Sequence, residues 1–431
     1  MTDATGERIR TSKKGMWGWA LYDWANSPYT TVIITFVFGT YFAKGIVGDE
    51  VRGQELWGYA ASIAGLIVAI GSPVLGAIAD AGGPRKPWLA VFTALCIIGS
   101  GMLWYAEPDP GFAHWAMFWV IISTVGFEFG IVFNNAMLPD LVAEERLGRW
   151  SGWAWGLGYL GGLSAMIIAL LGFVQAETPL FGLDKENLEH IRVVGPLVAI
   201  WFLAFVWPMF MWTPDKEKSS AGLGEKVSTG FRQLGQTLKS LRHHRNVLRF
   251  LIARMIYADG LATMFAFGGI YAAGTFGMEL TEVITFGIIL NVTAGVGAIC
   301  FAWIDDWIGS KPTIIISLVG LITTAFGVII VEDVSWFWVW GSLLGIFVGP
   351  SQAASRSLMA RLAPAGHSTE FFGLYALTGK ATAFLGPLLV AIVTASMDSQ
   401  RWGLAVVLAF FIVGLGLLMT VRAPHSSGDA T

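Results

Sequence analysis

Long apolar runs, separated by short polar stretches, recur along the whole sequence. A helix needs about 20 predominantly apolar residues to cross the hydrocarbon core of a bilayer, and twelve segments of the 431-residue chain meet this requirement. The pattern therefore predicts an all-α membrane protein with twelve transmembrane helices. The predicted spans are 17–43, 56–79, 87–106, 113–137, 150–173, 192–212, 247–274, 281–303, 312–331, 335–358, 370–395 and 400–421.

The composition agrees with a membrane protein and argues against several other classes. Only 13% of the residues are charged, compared with about 25% in soluble proteins, so there is too little charge to cover a water-facing surface. The net charge of −3 gives no indication of a nucleic-acid partner. The two cysteines, Cys96 and Cys300, lie in apolar runs and indicate neither a disulfide framework nor a metal site.

The Lys and Arg residues predict the orientation, because cytoplasmic loops of membrane proteins carry an excess of them. With the N-terminus in the cytoplasm, 19 of the 27 fall on the cytoplasmic side, five on the other side and three within spans. We therefore expect a multi-pass protein of the inner (plasma) membrane with both termini in the cytoplasm. The first apolar run is too long for a cleavable signal peptide.

The longest cytoplasmic loop predicts the domain organisation. It separates an N-terminal six-helix half, 1–212, from a C-terminal half with a short tail, 249–431, and the linker between them is 213–248. The stretch from Glu225 to Arg245 is amphipathic. We interpret it as a linker helix on the membrane surface; a regulatory binding site is the alternative.

An internal repeat supports the division into halves. Segments 80–87 and 305–312 both run from Asp to Lys-Pro with the same spacing, and they lie 225 residues apart. The same offset relates Pro139 to Pro364. Six helices per repeat, an even number, place both halves in the membrane in the same sense. Parallel six-helix halves around a cavity are the arrangement of the major facilitator superfamily.

Specific motifs strengthen this resemblance. Segment 76–86, with Gly76, Asp80, Arg85 and Lys86, resembles the superfamily's signature loop between helices 2 and 3, although Pro84 interrupts the usual Gly before the basic pair. Segments 18–27, 351–357 and 370–382 resemble the vacuole-effluxer-like permeases related to the autophagy-linked amino-acid effluxers. The resemblance implies a secondary transporter for amino acids or related small solutes, and a monomer.

Six charged residues lie in the two repeated loops, where helix ends of the two halves meet at the cytoplasmic face. We interpret them as a gate that stabilises one state of the transport cycle by pairing with opposite charges and capping helix ends. Direct contact with the solute is the alternative. The residues are Asp80, Arg85, Lys86, Asp305, Asp306 and Lys311.

Polar residues within the N-terminal spans are candidates for solute binding or ion coupling, because charges in the membrane are costly unless they face a cavity or a partner. Helix 1 carries Asp23, Asn26 and Thr30 on one face, which predicts a cavity wall with a carboxylate for a cation or proton. A structural bond of Asp23 near the cytoplasmic end is the alternative. Helix 4 carries Glu128 and Asn135; Glu128 is interpreted as a coupling or binding residue, or as a hydrogen-bonded packing residue.

The C-terminal spans carry mostly basic candidates. On helix 7, Arg254 either contacts headgroups, forms a salt bridge across the halves or binds solute, and Asp259 is a further candidate. Helix 10 places Gln352 and Arg356 on one face, with a cytoplasmic anchor as the alternative for Arg356. On helix 11, Tyr375 and Lys380 are predicted to hold an anionic group such as a carboxylate. The full candidate set is Asp23, Asn26, Thr30, Glu128, Asn135, Arg254, Asp259, Gln352, Arg356, Tyr375 and Lys380.

These features together predict a secondary active transporter rather than an enzyme, with no cofactor. Acids in one half and bases in the other suit a small zwitterion, moved by alternating access with proton coupling through Asp23 or Glu128. Segment 373–380 imitates a phosphate-binding loop but has one residue too many, so no ATPase site is expected. Two alternatives stay open: an exporter of drug-like or lipidic compounds, and a non-transporting receptor or scaffold on the same fold.

Overall fold

The computed structural model describes residues 11–217, 228–229, 232, 235, 245–278, 280–364, 366–379, 382–383 and 385–422. Within these ranges all regular structure is helical, and eleven helical spans are long and apolar enough to cross a membrane. A further apolar helix, Leu385–Met397, is shorter. The predicted all-α membrane fold is therefore confirmed, with one span interrupted. The amphipathic stretch predicted from Glu225 to Arg245 lies largely outside the described residues.

Eleven membrane helices and one interrupted span, numbered α1 to α12, follow each other along the described part of the chain. Their bounds are Lys13–Pro28 (α1), Glu50–Gly82 (α2), Lys86–Met102 (α3), Ala113–Leu141 (α4), Leu147–Ala169 (α5), Val194–Trp212 (α6), Arg245–Phe276 (α7), Leu280–Ile308 (α8), Ser310–Ile330 (α9), Val334–Leu362 (α10), Ser368–Thr378 and Leu385–Met397 (α11a and α11b), and Gln400–Met419 (α12).

Shorter helical pieces extend or connect these helices. π-helical turns Tyr29–Phe36 and Phe42–Val47, with the α-helical turn Phe38–Tyr41 between them, continue α1, and Leu170–Val174 continues α5. Glu189–Arg192 precedes α6, and 3-10 turns cover Leu103–Tyr105, Pro110–Phe112, Glu144–Arg146 and Leu180–Gly182.

The change from α- to π-helix in the first span begins at Pro28. Proline has no backbone N–H, so it cannot donate to the carbonyl four residues earlier, which belongs to Trp24. The Trp201 indole on α6 donates to that carbonyl instead, at 3.2 Å. The proline thus changes the helix without leaving a polar backbone group unsatisfied inside the membrane.

The eleventh span differs from the prediction of one continuous helix from 370 to 395. The structure ends α11a at Thr378 and starts α11b at Leu385. Pro387 cannot donate to the carbonyl of Ala383, and the N–H of Leu385 instead closes a turn to the Thr382 carbonyl at 2.8 Å. The apolar pattern could not reveal this break, since Gly and Pro are common in membrane helices.

Both ends of the described chain lie at one end of the helix bundle, here called the termini side. There, Thr213 donates to the Gly15 carbonyl at 3.0 Å in the N-terminal six helices, and Asn246 donates to the Arg422 carbonyl at 2.8 Å in the C-terminal six. The sequence predicts that this side faces the cytoplasm.

The two halves approach closely on the termini side through glycine. A Cβ on Gly76 of α2 would lie 2.5 Å from the Thr369 carbonyl oxygen of α11a, and one on Gly152 of α5 would lie 2.5 Å from the Ala298 carbonyl oxygen of α8. Small residues permit such close helix crossings in membranes. These two crossings bring the halves together below a central cavity.

Candidate functional site

A cavity of about 520 Å³ lies between the two halves and is lined by residues from both. Nine of the eleven predicted solute or coupling residues line it. Asp259 is not among its lining residues, and Lys380 lies outside the described residues. The nine are Asp23, Asn26, Thr30, Glu128, Asn135, Arg254, Gln352, Arg356 and Tyr375.

An ion pair crosses the cavity floor from one half to the other. Arg356 of α10 donates to the Asp23 carboxylate of α1 at 2.7 Å, although the two residues are 333 positions apart. Arg356 is only 3% exposed. A buried guanidinium is stable only with opposite charge and several acceptors, and Asp23 of the other half supplies the charge for Arg356.

Further contacts hold the Arg356 guanidinium in place. Its Nε donates to the Ser151 hydroxyl at 2.9 Å and its Nη2 to the Ser151 carbonyl at 2.6 Å, both on α5. Nη1 also donates to the Asn135 side chain at 3.2 Å. The group lies 5.1 Å from the ring centre of Trp19 and 5.7 Å from that of Trp155, within the range of cation–π attraction.

Sequence reasoning did not single out several of these partners. Ser151, Trp155 and Tyr159 lie on one face of α5 at helical spacing, and Tyr159 accepts a hydrogen bond from Gln352 of α10 at 3.1 Å. This polar stripe on α5 is the sequence feature from which these cavity residues could be predicted. It was overlooked because Trp and Tyr in a membrane span are also common at the lipid interface.

Arg254 of α7 belongs to the C-terminal wall of the cavity. Its guanidinium lies 3.4 Å from the ring centre of Tyr375 and donates to the Tyr375 carbonyl at 2.8 Å and the Thr378 hydroxyl at 3.0 Å. These contacts connect α7 to the end of α11a. Arg254 is half-buried and lines the cavity, so it places a positive charge at the cavity wall.

The N-terminal wall combines acids and amides. Glu128 of α4 is half-buried and lines the cavity. The Asn26 amide nitrogen is buried and has no hydrogen-bond partner among the described residues, so it is available to a ligand. The Thr30 hydroxyl donates to the Ser27 carbonyl at 3.0 Å and is already satisfied by its own helix.

A buried charge network closes the termini side between α2–α3 and α11a. Arg85, only 1% exposed, pairs with Asp80 at 3.2 Å and with Asp140, and donates to the Thr369 hydroxyl at 2.8 Å. Asp80 also accepts from the Thr369 hydroxyl at 2.7 Å and the Glu370 N–H at 2.9 Å. Asp80 and Arg85 therefore join the two halves.

The repeated loop of the C-terminal half makes a second network. Asp306 accepts from the Arg149 N–H at 3.0 Å and pairs with its side chain at 3.3 Å, which links α8 to α5. Asp305 pairs with Arg361 at 3.4 Å and accepts from Ser310 at 2.7 Å.

The two predicted gate lysines make contacts within their own halves. Lys86 donates to the Phe210 carbonyl at 2.9 Å and Lys311 to the Met419 carbonyl at 3.1 Å. Each lysine thus caps the end of the last helix of its half, α6 or α12, where carbonyl groups lack helical partners. Asp80, Arg85 and Asp306 link the halves, Asp305 pairs within its own half, and the lysines stabilise helix ends beside them.

The family follows from comparison with known proteins. A model described as vacuole effluxer Atg22 like matches residues 45–431. The chain belongs to this family. A relative in Bacillus subtilis (strain 168), described as an uncharacterized MFS-type transporter YxiO, is 27% identical over 416 residues, which cover 95% of each chain. Autophagy-related protein 22-1 of Aspergillus niger is 24% identical over 297 residues, covering 64% of this chain.

The Atg22-like chain spans about half the length of that fungal relative, of which the match covers 47%. Among solved structures, the MFS transporter FucP in its outward conformation matches with a TM-score of 0.74 and 11% identity, over 95% of this chain and 99% of FucP. This likeness shows the fold. The protein is therefore a multi-pass membrane transporter of the major facilitator superfamily, which confirms the resemblance found in the sequence.

Proposed function

We propose that this Atg22-like protein is a secondary active transporter that moves a small zwitterionic solute, such as an amino acid, by alternating access coupled to protons. The observation that carries the proposal is the ion pair between Asp23 and Arg356, which joins the two halves inside the central cavity. A solute that binds Asp23 or Arg356 in place of the other residue weakens the contact between the halves.

The distribution of charge supports a zwitterion. Asp23 and Glu128 lie on the N-terminal wall, and Arg254 and Arg356 lie on the C-terminal wall. An ammonium group of the solute is attracted to the acids, and a carboxylate group can form paired hydrogen bonds with a guanidinium. A ligand shifts a conformational equilibrium only through different affinities for the two states. A solute that replaces the Asp23–Arg356 ion pair removes a contact between the halves, so it binds the two states with different affinities.

The same pair supports the proposed proton coupling. Protonation of Asp23 removes the negative charge that holds the Arg356 guanidinium at 2.7 Å, so it weakens the link between the halves. Glu128, on the same wall of the cavity, is the second candidate proton carrier. Ionisable groups within membrane spans commonly serve proton relays in transporters.

A second candidate function is export of drug-like or lipidic compounds. A pocket of about 170 Å³ shares Thr35, Phe36, Phe265 and Asn291 with the central cavity and continues between mostly apolar residues of the C-terminal six helices. This pocket favours a solute with an apolar group. The charges around the larger cavity favour a polar solute as the principal class.

We also propose an orientation in the membrane and an oligomeric state. We infer that the termini side faces the cytoplasm of a plasma membrane, because it carries most of the Lys and Arg residues. We also infer a monomer of two six-helix domains joined by the linker 213–248. Protease accessibility in sealed vesicles of known orientation tests the sidedness.

A thermal-shift screen of the purified protein tests the solute class. The compounds are amino acids, small peptides, organic acids, amines and common drugs. A ligand at 100 times its dissociation constant stabilises the folded state by about 2.7 kcal/mol, which raises Tm measurably. Stabilisation by zwitterions supports the proposal. Stabilisation by hydrophobic compounds alone contradicts it and favours the exporter.

Flux measurements in proteoliposomes test the coupling. We expect Asp23→Asn and Glu128→Gln to abolish proton-driven accumulation of the solute while preserving exchange, because exchange needs no net proton movement. Glu332→Gln is the matched control, since it removes an exposed carboxylate between α9 and α10. Normal accumulation in both cavity variants would show that the coupling assignment is wrong.

A further inference from the structure

Three buried oxygen atoms, two on α7 and one at the break in α11, belong to residues outside the lining of the central cavity. Asp259 of α7 is 3% exposed, and its carboxylate lies beside the Thr382 hydroxyl in the break. Neither Asp259 Oδ2, nor the Thr263 hydroxyl, nor the Thr382 hydroxyl has a hydrogen-bond partner of normal geometry within the described ranges. Buried polar atoms usually have partners, so this cluster requires an explanation.

Two of the three groups share a face of α7, and the third lies beside the Asp259 carboxylate. Asp259 and Thr263 are one helical turn apart and share a face of α7. A Cβ on Gly386, in the first turn of α11b, would contact the Thr263 side chain and would lie 3.5 Å from the Asp259 carbonyl oxygen. This face of α7 is therefore packed against the start of α11b, and Thr382 approaches it from the break.

The surrounding charge favours a cation. The nearby described cation that affects the Asp259 carboxylate is Arg254, but its guanidinium is held by Tyr375 and Thr378. No ion pair joins Arg254 to Asp259 among the described residues. An isolated carboxylate is costly to bury, and a bound cation coordinated by oxygen atoms removes this cost.

We propose that Asp259, Thr263 and Thr382 form a binding site for a monovalent alkali cation, with Na⁺ as the ion to test. Hard cations prefer oxygen ligands, and divalent ions usually draw on several carboxylates, whereas this site supplies one carboxylate and two hydroxyl groups. In transporters, unwound backbone at a helix break supplies carbonyl ligands to such ions. Thr382 and Ala383 are the described residues between Gly379 and Leu385, and both lie outside α11a and α11b.

The cation site would also influence solute binding, and this consequence rests on the proposed function. Asp259 lies on the same helix as Arg254, and Thr382 follows α11a, which carries Tyr375. A cation that holds α7 against the break also fixes the position of the Arg254–Tyr375 contact at the cavity wall. Cation binding would therefore raise the affinity for the solute. Binding of the cation itself needs no solute and can be measured alone.

The experiment is a titration of Tm for the full-length protein in detergent, without solute. NaCl is exchanged for choline chloride or KCl at constant ionic strength. We expect Na⁺ to raise the Tm of the wild-type protein by several degrees with saturation, and choline to have no effect. Asp259→Asn and Thr263→Val should lose this response, because each removes an oxygen ligand.

Two matched variants serve as controls. Thr323→Val removes an exposed hydroxyl that donates to the Val319 carbonyl in α9, and Glu332→Gln removes an exposed carboxylate; both should keep the Na⁺ response. If Asp259→Asn does not fold, Thr263→Val alone carries the test.

Three results would overturn the proposal: no Na⁺ response in the wild type, a retained response in the Asp259 and Thr263 variants, or a stability that follows pH but not Na⁺. A failure here leaves the proposed transport of a zwitterion untouched, because the titration contains no solute and measures no flux. Conversely, a Na⁺ response without solute transport would support the cation site and contradict the proposed function.

Discussion

Asp23 and Asp259 occupy related helices of the two halves but have different surroundings. Asp23 on α1 lines the central cavity and pairs with Arg356 of the other half at 2.7 Å. Asp259 on α7 lies away from that cavity, buried against the break in α11. The same residue type thus serves an inter-half contact in one repeat and a separate buried cluster in the other.

A shift of one residue explains the difference. Asp23 directly follows Tyr22, whereas Ala258 stands between Tyr257 and Asp259. One residue turns a side chain by about 100° around a helix with 3.6 residues per turn. Ala258 accordingly lines the cavity in α7, and the carboxylate is turned towards α11. An aspartate repeated in both halves therefore does not have the same role in both.

Among the variants that test the different roles of Asp23 and Asp259, we expect Arg356→Leu to have the largest effect, a loss of unfolding free energy. The substitution leaves Asp23 buried without its cationic partner, and breaking a buried ion pair costs about 3–5 kcal/mol. Unfolding in mixed micelles measures the decrease in unfolding free energy. The double variant Asp23→Asn with Arg356→Gln should recover much of it, because no unpaired charge remains. Equal destabilisation of the single and double variants would show that the ion pair is not the cause.

An exchange of register between Ala258 and Asp259 should have an intermediate effect. Combining Ala258→Asp with Asp259→Ala moves the carboxylate from the α11 side to the cavity. We expect loss of the Na⁺ response and a several-fold weaker affinity for the solute, because the new carboxylate competes for Arg254. Solute titration measures the affinity, and Asp259→Ala alone is the control. An unchanged affinity in the combined variant would contradict the rotational explanation.

The smallest effect is expected for Gln352→Leu, which removes the 3.1 Å hydrogen bond to Tyr159 between the halves. A neutral hydrogen bond contributes about 0.5–1.5 kcal/mol net, so solute affinity should change by less than about tenfold. Tyr159→Phe removes the same bond from the other side and should behave alike. If Gln352→Leu lowered the unfolding free energy as much as Arg356→Leu does, this bond rather than the ion pair would dominate the contact between the halves.

Much of the fold followed from the sequence because it depends on local patterns. Span length, Lys and Arg distribution and the spacing from Asp80 to Lys86 are each read within a few tens of residues. The break in α11 was missed because Pro387 has an effect on backbone hydrogen bonds that hydropathy does not record. The candidate residues were identified singly, and their roles remain predictions.

The sequence by itself determined the membrane class, the repeat and the family, because apolar length and motif spacing are properties of neighbouring residues. Only the tertiary structure decided which groups meet. Arg356 contacts Asp23 across 333 positions, and Ser151, Trp19 and Trp155 complete its surroundings. Such contacts depend on how helices remote in sequence are rotated and packed. A rotation of one residue separates the cavity from the Asp259 cluster, and helix packing determines what each face meets.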